Sequence, residues 1–386
     1  MTDRPVTRLA AVVALLLGCG NGSTAAPAPG TDAAVDRPIA DTGTIAPDAA
    51  DDASDVGPDG GTAVVDSGPA WVPDVPTPDD AGSWGDGGES PFASTGPNTV
   101  ATWSGALPGT ANQAHVLYPS SGTDRVPVVF FAHGFQLAVN NYDALLTHVA
   151  SWGYVVVSVD YPGTLLSTDH RDVAHAFTLA RTALAAGVAG FPATSRLDLN
   201  HSAVMGHSLG GKGAIMALLD DPSFVAGVAL DPVDDNPAPG GMATAAAPSI
   251  APEQMGRLMR PLALFGGTQS RCSSPFTPCA PEASNYLQFF AAVPMGIPVG
   301  LYPLTNFGHN DFVDTACGFQ CALCARGAAP LDSRLHALRA LTVAFLQRFV
   351  RGDTSLDGYV SGDERARYVA SGALWNLRAN TLPACP

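Results

Sequence analysis

The sequence predicts an α/β domain: a mostly parallel central sheet with helices on both faces. Short, continuous apolar runs rich in valine and phenylalanine alternate along residues 96–386 with longer segments of helical periodicity. Strands buried on both faces read this way, because the helices of a parallel sheet cover it from both sides. The conspicuous polar residues His133, Asp160, Ser208, Asp231 and His309 fall at the carboxyl ends of predicted strands. Open α/β sheets collect their chemistry there.

The elements follow in order. Gln113 to Tyr118 alternates weakly and stops at Pro119, an early strand. Val126 to Ala132 is a buried strand, and Tyr142 to Ser151 has helical spacing closed by Gly153. Tyr154 to Val159 is the next buried strand, and Asp169 to Ala186 a helix. Ala203 to Met205 runs into a glycine-flanked serine, and Gly211 to Leu219 leaves it as a helix. Strands are predicted at Val225 to Leu230, Pro261 to Phe265 and Pro298 to Leu304. Helices are predicted at Ala283 to Val293 and Leu331 to Phe349.

Two segments precede this domain. Arg4 and Arg8, the apolar stretch Leu9 to Leu17 and then Gly18-Cys19 have the layout of an export signal over residues 1–19. That stretch is shorter than the roughly 20 residues needed to span a bilayer. Leu16-Leu17-Gly18-Cys19 resembles a bacterial lipobox, which implies lipidation at Cys19 and attachment to a membrane of the cell envelope; plain secretion is the alternative. Residues 20–95 are dominated by Asp, Ala, Pro, Gly, Thr and Ser without apolar periodicity. Such a segment cannot bury enough surface to offset its ordering entropy, so a disordered tether with a reach of roughly 50 Å is expected.

The net charge of −16 belongs mainly to that tether. Residues 20–95 hold 14 acids and one base, Arg37, whereas residues 96–386 hold 20 acids and 16 bases. The domain is close to neutral and has no basic stripe, which argues against nucleic acid as a partner.

Gly206-His207-Ser208-Leu209-Gly210, entered by an apolar strand and left by a helix, has the form of a nucleophile elbow. A serine hydroxyl needs a base within hydrogen-bond reach, and the base needs a carboxylate behind it. Outside the elbow, only His309 and His336 follow Ser208. His336 lies within the closing helix; His309 lies in a loop just after the last core strand and is the predicted base. His207 adjoins the serine, where neighbouring side chains diverge, and is assigned to packing. The acid is assigned to Asp231, which ends the strand after the nucleophile strand, with Asp234 in reserve. Asp311 is read as a loop-stabilising group beside the base. Phe130-Phe131-Ala132-His133-Gly134-Phe135 ends a strand in a His-Gly turn, so the backbone N–H groups of Phe135 and Leu209 are the expected oxyanion donors. His133 is expected to order that turn.

Across most of residues 113–350 the chain resembles the α/β-hydrolase superfamily. More narrowly, it resembles the group of chlorophyllases, platelet-activating-factor acetylhydrolases and bacterial polyester hydrolases. The resemblance rests on Phe131-Ala132-His133-Gly134-Phe135, Gly206-His207-Ser208-Leu209-Gly210-Gly211-Lys212, Leu230-Asp231-Pro232-Val233 and Gly308-His309-Asn310-Asp311. In the chlorophyllase and acetylhydrolase branches the acid follows the strand after the nucleophile, which implies Asp231. Pro278-Cys279-Ala280-Pro281 and the cysteines after His309 also look chlorophyllase-like. Leu209 departs from the plant chlorophyllases, which tend to carry arginine there.

Beyond Cys19 there are six cysteines: Cys272, Cys279, Cys317, Cys321, Cys324 and Cys385. An even number in an exported chain suggests disulfides. A local Cys272–Cys279 pair is one possibility, with the others bridging the loop after His309 and pinning the tail through Cys385. A metal site is not expected, since three closely spaced cysteines lack a fourth ligand.

Together these readings predict a carboxylic ester hydrolase that uses Ser208, His309 and Asp231 through an acyl-enzyme, acts on a small or lipid-like ester, and requires no cofactor. The alternatives are an inactive binding lipoprotein of the same fold, a serine peptidase and an acyltransferase.

Overall fold

The computed structural model describes residues 90–107, 113–161, 168–234, 246–273, 278–314, 322–328, 330–378 and 381–385. The expected signal with Cys19, the tether as far as residue 89, Cys317 and Cys321 lie outside the described residues.

Among the described residues eight strands build one sheet: β1 Val100–Ala106, β2 Gln113–Pro119, β3 Val126–Ala132, β4 Val155–Val159, β5 Leu197–His207, β6 Phe224–Leu230, β7 Leu262–Gly267 and β8 Val299–Leu304. Their order is β1-β2-β4-β3-β5-β6-β7-β8. Only β2 runs against its neighbours; β3 to β8 pair in parallel. The helices are α1 Asp143–Ser151, α2 His170–Ala186, α3 Leu209–Asp220, α4 Tyr286–Ala291, α5 Asp332–Phe349, α6 Asp357–Ser361 and α7 Asp363–Ala370. This is an α/β-hydrolase fold.

Strand alternation divides the core between the two faces. Val128 and Phe130 of β3 and Val204 of β5 pack with Phe177 of α2, Ile215 of α3 and Phe289 of α4. Val129, Phe131 and Met205 face the other way, onto Leu146 of α1 and Leu341 and Phe345 of α5. Because both faces are covered, β3 is buried at all seven positions, which explains its unbroken apolar sequence.

Several elements differ from expectation. β1 was not foreseen. It is an edge strand, half exposed along its length, so its sequence carries no apolar run; Trp103 anchors it against Phe191, with ring centroids 5.4 Å apart. The helix expected at Ala283 to Val293 is a 3₁₀ turn, Glu282–Ser284, followed by the short α4. The tether was expected to run to Thr95, but the segment from Ser90 onward is docked. Ser90 Oγ lies 2.9 Å from the Tyr359 hydroxyl, the Phe92 ring meets Trp152 edge-on at 4.8 Å, and His148 Nε2 donates to the Phe92 carbonyl at 2.8 Å. A single aromatic residue in a polar stretch gave the sequence little sign of this anchor. Among the described residues no helix is long and apolar enough to cross a membrane.

Candidate active site

β5 delivers Ser208 into a turn with φ 56° and ψ −120°, a left-handed conformation that costs a non-glycine residue on the order of 1–3 kcal/mol. The surroundings hold it there. The Ser208 N–H donates to the Leu230 carbonyl at 2.9 Å, and the Ser208 carbonyl accepts from Lys212 N–H at 3.1 Å. The flanking glycines are required by close approach. A Cβ on Gly206 would lie 2.2 Å from the Gly210 carbonyl oxygen, and one on Gly210 would lie 2.2 Å from that of Ala132. The turn presses the start of α3 against the end of β3, which carries the next part of the site.

Asp231 is the first residue beyond β6 and also has positive φ, 44°. It is fully buried. Its Oδ1 accepts from Gly267 N–H at 3.0 Å, and its Oδ2 accepts from the Ser270 hydroxyl at 2.6 Å. The third donor is His309 Nδ1, 2.7 Å from Oδ2. His309 opens a 3₁₀ turn, His309–Phe312, reached from β8. Since a carboxylate only accepts, Nδ1 carries the proton and Nε2 presents a lone pair. That lone pair faces the Ser208 hydroxyl at 2.9 Å. Three side chains distant in sequence thus form one hydrogen-bonded series, with Ser208 8 % exposed and His309 5 %.

The reserve acid does something else. Asp234 Oδ1 lies 3.2 Å from Nζ of Lys212, a lysine with no solvent exposure. The Asp234 carboxylate also accepts from Ile250 N–H at 2.9 Å and Ala251 N–H at 3.1 Å. It neutralises a buried cation and clips the chain at Ile250 and Ala251. Asp311 accepts from Gly308 N–H at 2.7 Å and Gly327 N–H at 2.5 Å. It fastens the loop around His309, and burial raises its carboxyl above the usual range.

The turn after β3 is ordered by His133, as its position suggested. His133 stacks on Tyr161 at 4.4 Å and its Nδ1 meets the Gly134 carbonyl at 2.8 Å. Among the described residues neither the N–H of Phe135 nor that of Leu209 donates a hydrogen bond. Leu209 N–H is the first of α3, where the helix has no internal acceptor to offer.

His207 is more than packing. Burial, with His309 beside it, holds its imidazole well below the usual pKa, hence neutral. Its Nε2 lies 3.0 Å from the His309 carbonyl and its Nδ1 2.8 Å from the Tyr142 hydroxyl. Sequence reasoning missed Tyr142, Ser270 and the amide of Gly267. Each is an ordinary residue for its element, and only the tertiary contact distinguishes it.

Among the described residues the cysteines pair as Cys272–Cys385 and Cys279–Cys324. The local Cys272–Cys279 pair does not form. Instead Gln269 Nε2 donates to the Ala384 carbonyl at 2.8 Å and Arg271 to that of Pro383 at 2.6 Å, which draws the tail onto the loop carrying Cys272. Among the described residues no cluster of His, Cys, Asp or Glu could hold a metal ion.

The family model described as chlorophyllase matches residues 100–366, which contain this whole array. The chain belongs to the chlorophyllase family. Among curated chlorophyllases, the chloroplastic chlorophyllase-1 of Citrus sinensis is 27% identical over 248 residues, 62% of this chain and 73% of its own. Chlorophyllase-2 of Arabidopsis thaliana is 27% identical over 262 residues, 64% of this chain and 80% of its own. The bis(hydroxyethyl) terephthalate hydrolase of Streptomyces coelicolor is 32% identical over 118 residues, 30% of this chain and 36% of its own.

Proposed function

We propose that this chlorophyllase-family chain is a serine carboxylic ester hydrolase. The observation that carries the reading is the unbroken series Ser208–His309–Asp231, at 2.9 and 2.7 Å. Ser208 Oγ attacks the ester carbonyl carbon while His309 Nε2 takes the hydroxyl proton. The tetrahedral oxyanion accepts from the N–H groups of Phe135 and Leu209, neither of which donates to another group among the described residues. Asp231 stabilises the imidazolium and holds its orientation. Collapse breaks the bond to the alkoxy group, which leaves as alcohol with the proton from His309. Water then adds to the acyl carbon as His309 accepts its proton, and the second collapse frees the acid and reprotonates Ser208. Every proton and electron pair is accounted for by these groups, so the cycle calls for no cofactor. The bis(hydroxyethyl) terephthalate hydrolase among its relatives supports a small ester, rather than an amide, as the substrate class.

A fluorophosphonate probe should label the wild-type protein and not Ser208→Ala. Chromogenic short-chain esters should turn over, and Ser208→Ala should lower kcat by about 10⁶-fold. Folded wild-type protein that is neither labelled nor active on any ester from acetyl to long acyl would sink the reading.

A further inference from the structure

We propose that Tyr142 and His207 form a buried strut that sets the oxyanion turn and the histidine loop in register with each other, making both of them positioning residues for ester hydrolysis. The proposal rests on the assignment of Ser208, His309 and the Phe135 amide made above. Gly134, next to the Phe135 donor, gives its N–H to the Tyr142 hydroxyl at 3.0 Å. The same hydroxyl meets His207 Nδ1 at 2.8 Å, and His207 Nε2 meets the main-chain carbonyl of His309 at 3.0 Å. Both side chains are wholly buried.

The direction of every hydrogen bond in the strut is forced. The His309 carbonyl can only accept, so Nε2 of His207 is the protonated nitrogen. Nδ1 of the neutral ring is then an acceptor, and the Tyr142 hydroxyl donates to it. The tyrosine oxygen is left with its lone pairs, one of which receives the Gly134 N–H. A single arrangement satisfies all four groups, and it exists only with His207 uncharged. Burial favours that form and keeps the Tyr142 phenol protonated as well. The neighbours leave no slack. A Cβ on Gly134 would sit 3.0 Å from His207 Nδ1, the His207 ring lies 4.7 Å from that of His309, and Phe312 stacks on it at 5.5 Å.

The consequence is geometric coupling. The oxyanion donor and the general base lie on loops that follow β3 and β8, at different places in the sheet. Each must be correct to within a fraction of an ångström at the same moment, in both acylation and deacylation. A strut ending on the residue beside Phe135 and on the main chain of His309 ties the two positions together without touching substrate.

The test uses Tyr142→Phe, His207→Phe and His207→Gln in the full chain, with active sites titrated by fluorophosphonate and turnover of a p-nitrophenyl ester expressed per titrated site. Tyr142→Phe should lower kcat per site by about 10-fold with KM within twofold. His207→Phe should lose at least as much, and His207→Gln, which keeps one donor and one acceptor, should recover part of it. A purely structural role would instead reduce the number of titratable sites and leave turnover per site unchanged. Should His207→Phe fail to fold, Tyr142→Phe decides alone: kcat per site within twofold of wild type overturns the strut. A wild-type protein that cannot be titrated would overturn the serine assignment instead, so the two failures are distinct.

Discussion

Two aspartates three residues apart face different groups, and they can be told apart by which property each should support. Asp231 faces His309, so Asp231→Asn should lower kcat by about 10⁴-fold, because the amide no longer selects the tautomer with a free Nε2. Its fold should survive, since the amide oxygen can still accept from Gly267 N–H at the Oδ1 place, and the Ser270 hydroxyl can turn to accept from the amide nitrogen that replaces Oδ2. Asp234 faces Lys212, which is fully buried. Asp234→Asn removes the carboxylate charge beside that buried cation and should cost about 3–5 kcal/mol of stability, read as a lower urea midpoint, with turnover per active site retained. Equal losses of turnover in the two variants would refute the division. At this scale Ser208, His309 and Asp231 could be picked out because chain order and strand-end position reduce the choices to a few, and the fold brings their side chains together. Asp231 and Asp234 were separable only in part, since each is an acid just past the same strand. The link from His207 to His309 was not legible, because it joins a ring nitrogen to a main-chain carbonyl 102 positions away in sequence.

At the scale of elements, the loops beyond β7 and β8 are the least regular part of the site and the most crosslinked. Cys279–Cys324 joins them, across a sequence separation of 45. Cys324 lies just before Gly327, whose N–H caps the carboxylate of Asp311, and Asp311 in turn caps Gly308 next to His309. On the loop-closure model a bridge of this span stabilises the fold by about 4 kcal/mol. It also suits an oxidising compartment. The pair Cys279→Ser with Cys324→Ser should therefore reduce thermal stability and also kcat, as the imidazole loses its backing. Full activity per titrated site in the double variant would mean that Asp311 and its glycine partners hold the loop unaided. The central strands were readable from sequence because burial on both faces leaves an unbroken apolar signature. β1 left none, since half of an edge strand faces water. The disulfide partners were unreadable for a related reason: Cys272 and Cys385 are separated by 113 residues, and only the packed fold brings them together.

The whole molecule carries a set of histidines that must stay uncharged, and this gives its stability a pH dependence of definite sign. Burial pushes His148 down to about 4. Burial, with the Lys212 ammonium nearby, does the same to His170, also to about 4. His207 lies well below the usual value for the same leading cause. In each case the folded pKa is below the unfolded value of about 6.5. Between those limits the unfolded chain binds more protons than the folded one, so stability is fully present above about pH 6.5 and falls as the pH is lowered toward 4. Asp311 and Asp314, raised by burial, act in the opposite sense, and only toward the carboxylate range at the lower end. Urea midpoints measured from pH 7 to 4.5 should therefore decline, with each neutral histidine contributing up to about 1.4 kcal/mol per pH unit. His148→Gln keeps a donor for the Phe92 carbonyl, and His170→Leu removes a ring whose nitrogens have no hydrogen-bond partner among the described residues. Each substitution should flatten the decline by one proton's worth, and the two should add, since the groups sit on opposite faces of the sheet. A midpoint that is level across this range, or a slope that neither substitution alters, would show that these imidazoles do not titrate on unfolding.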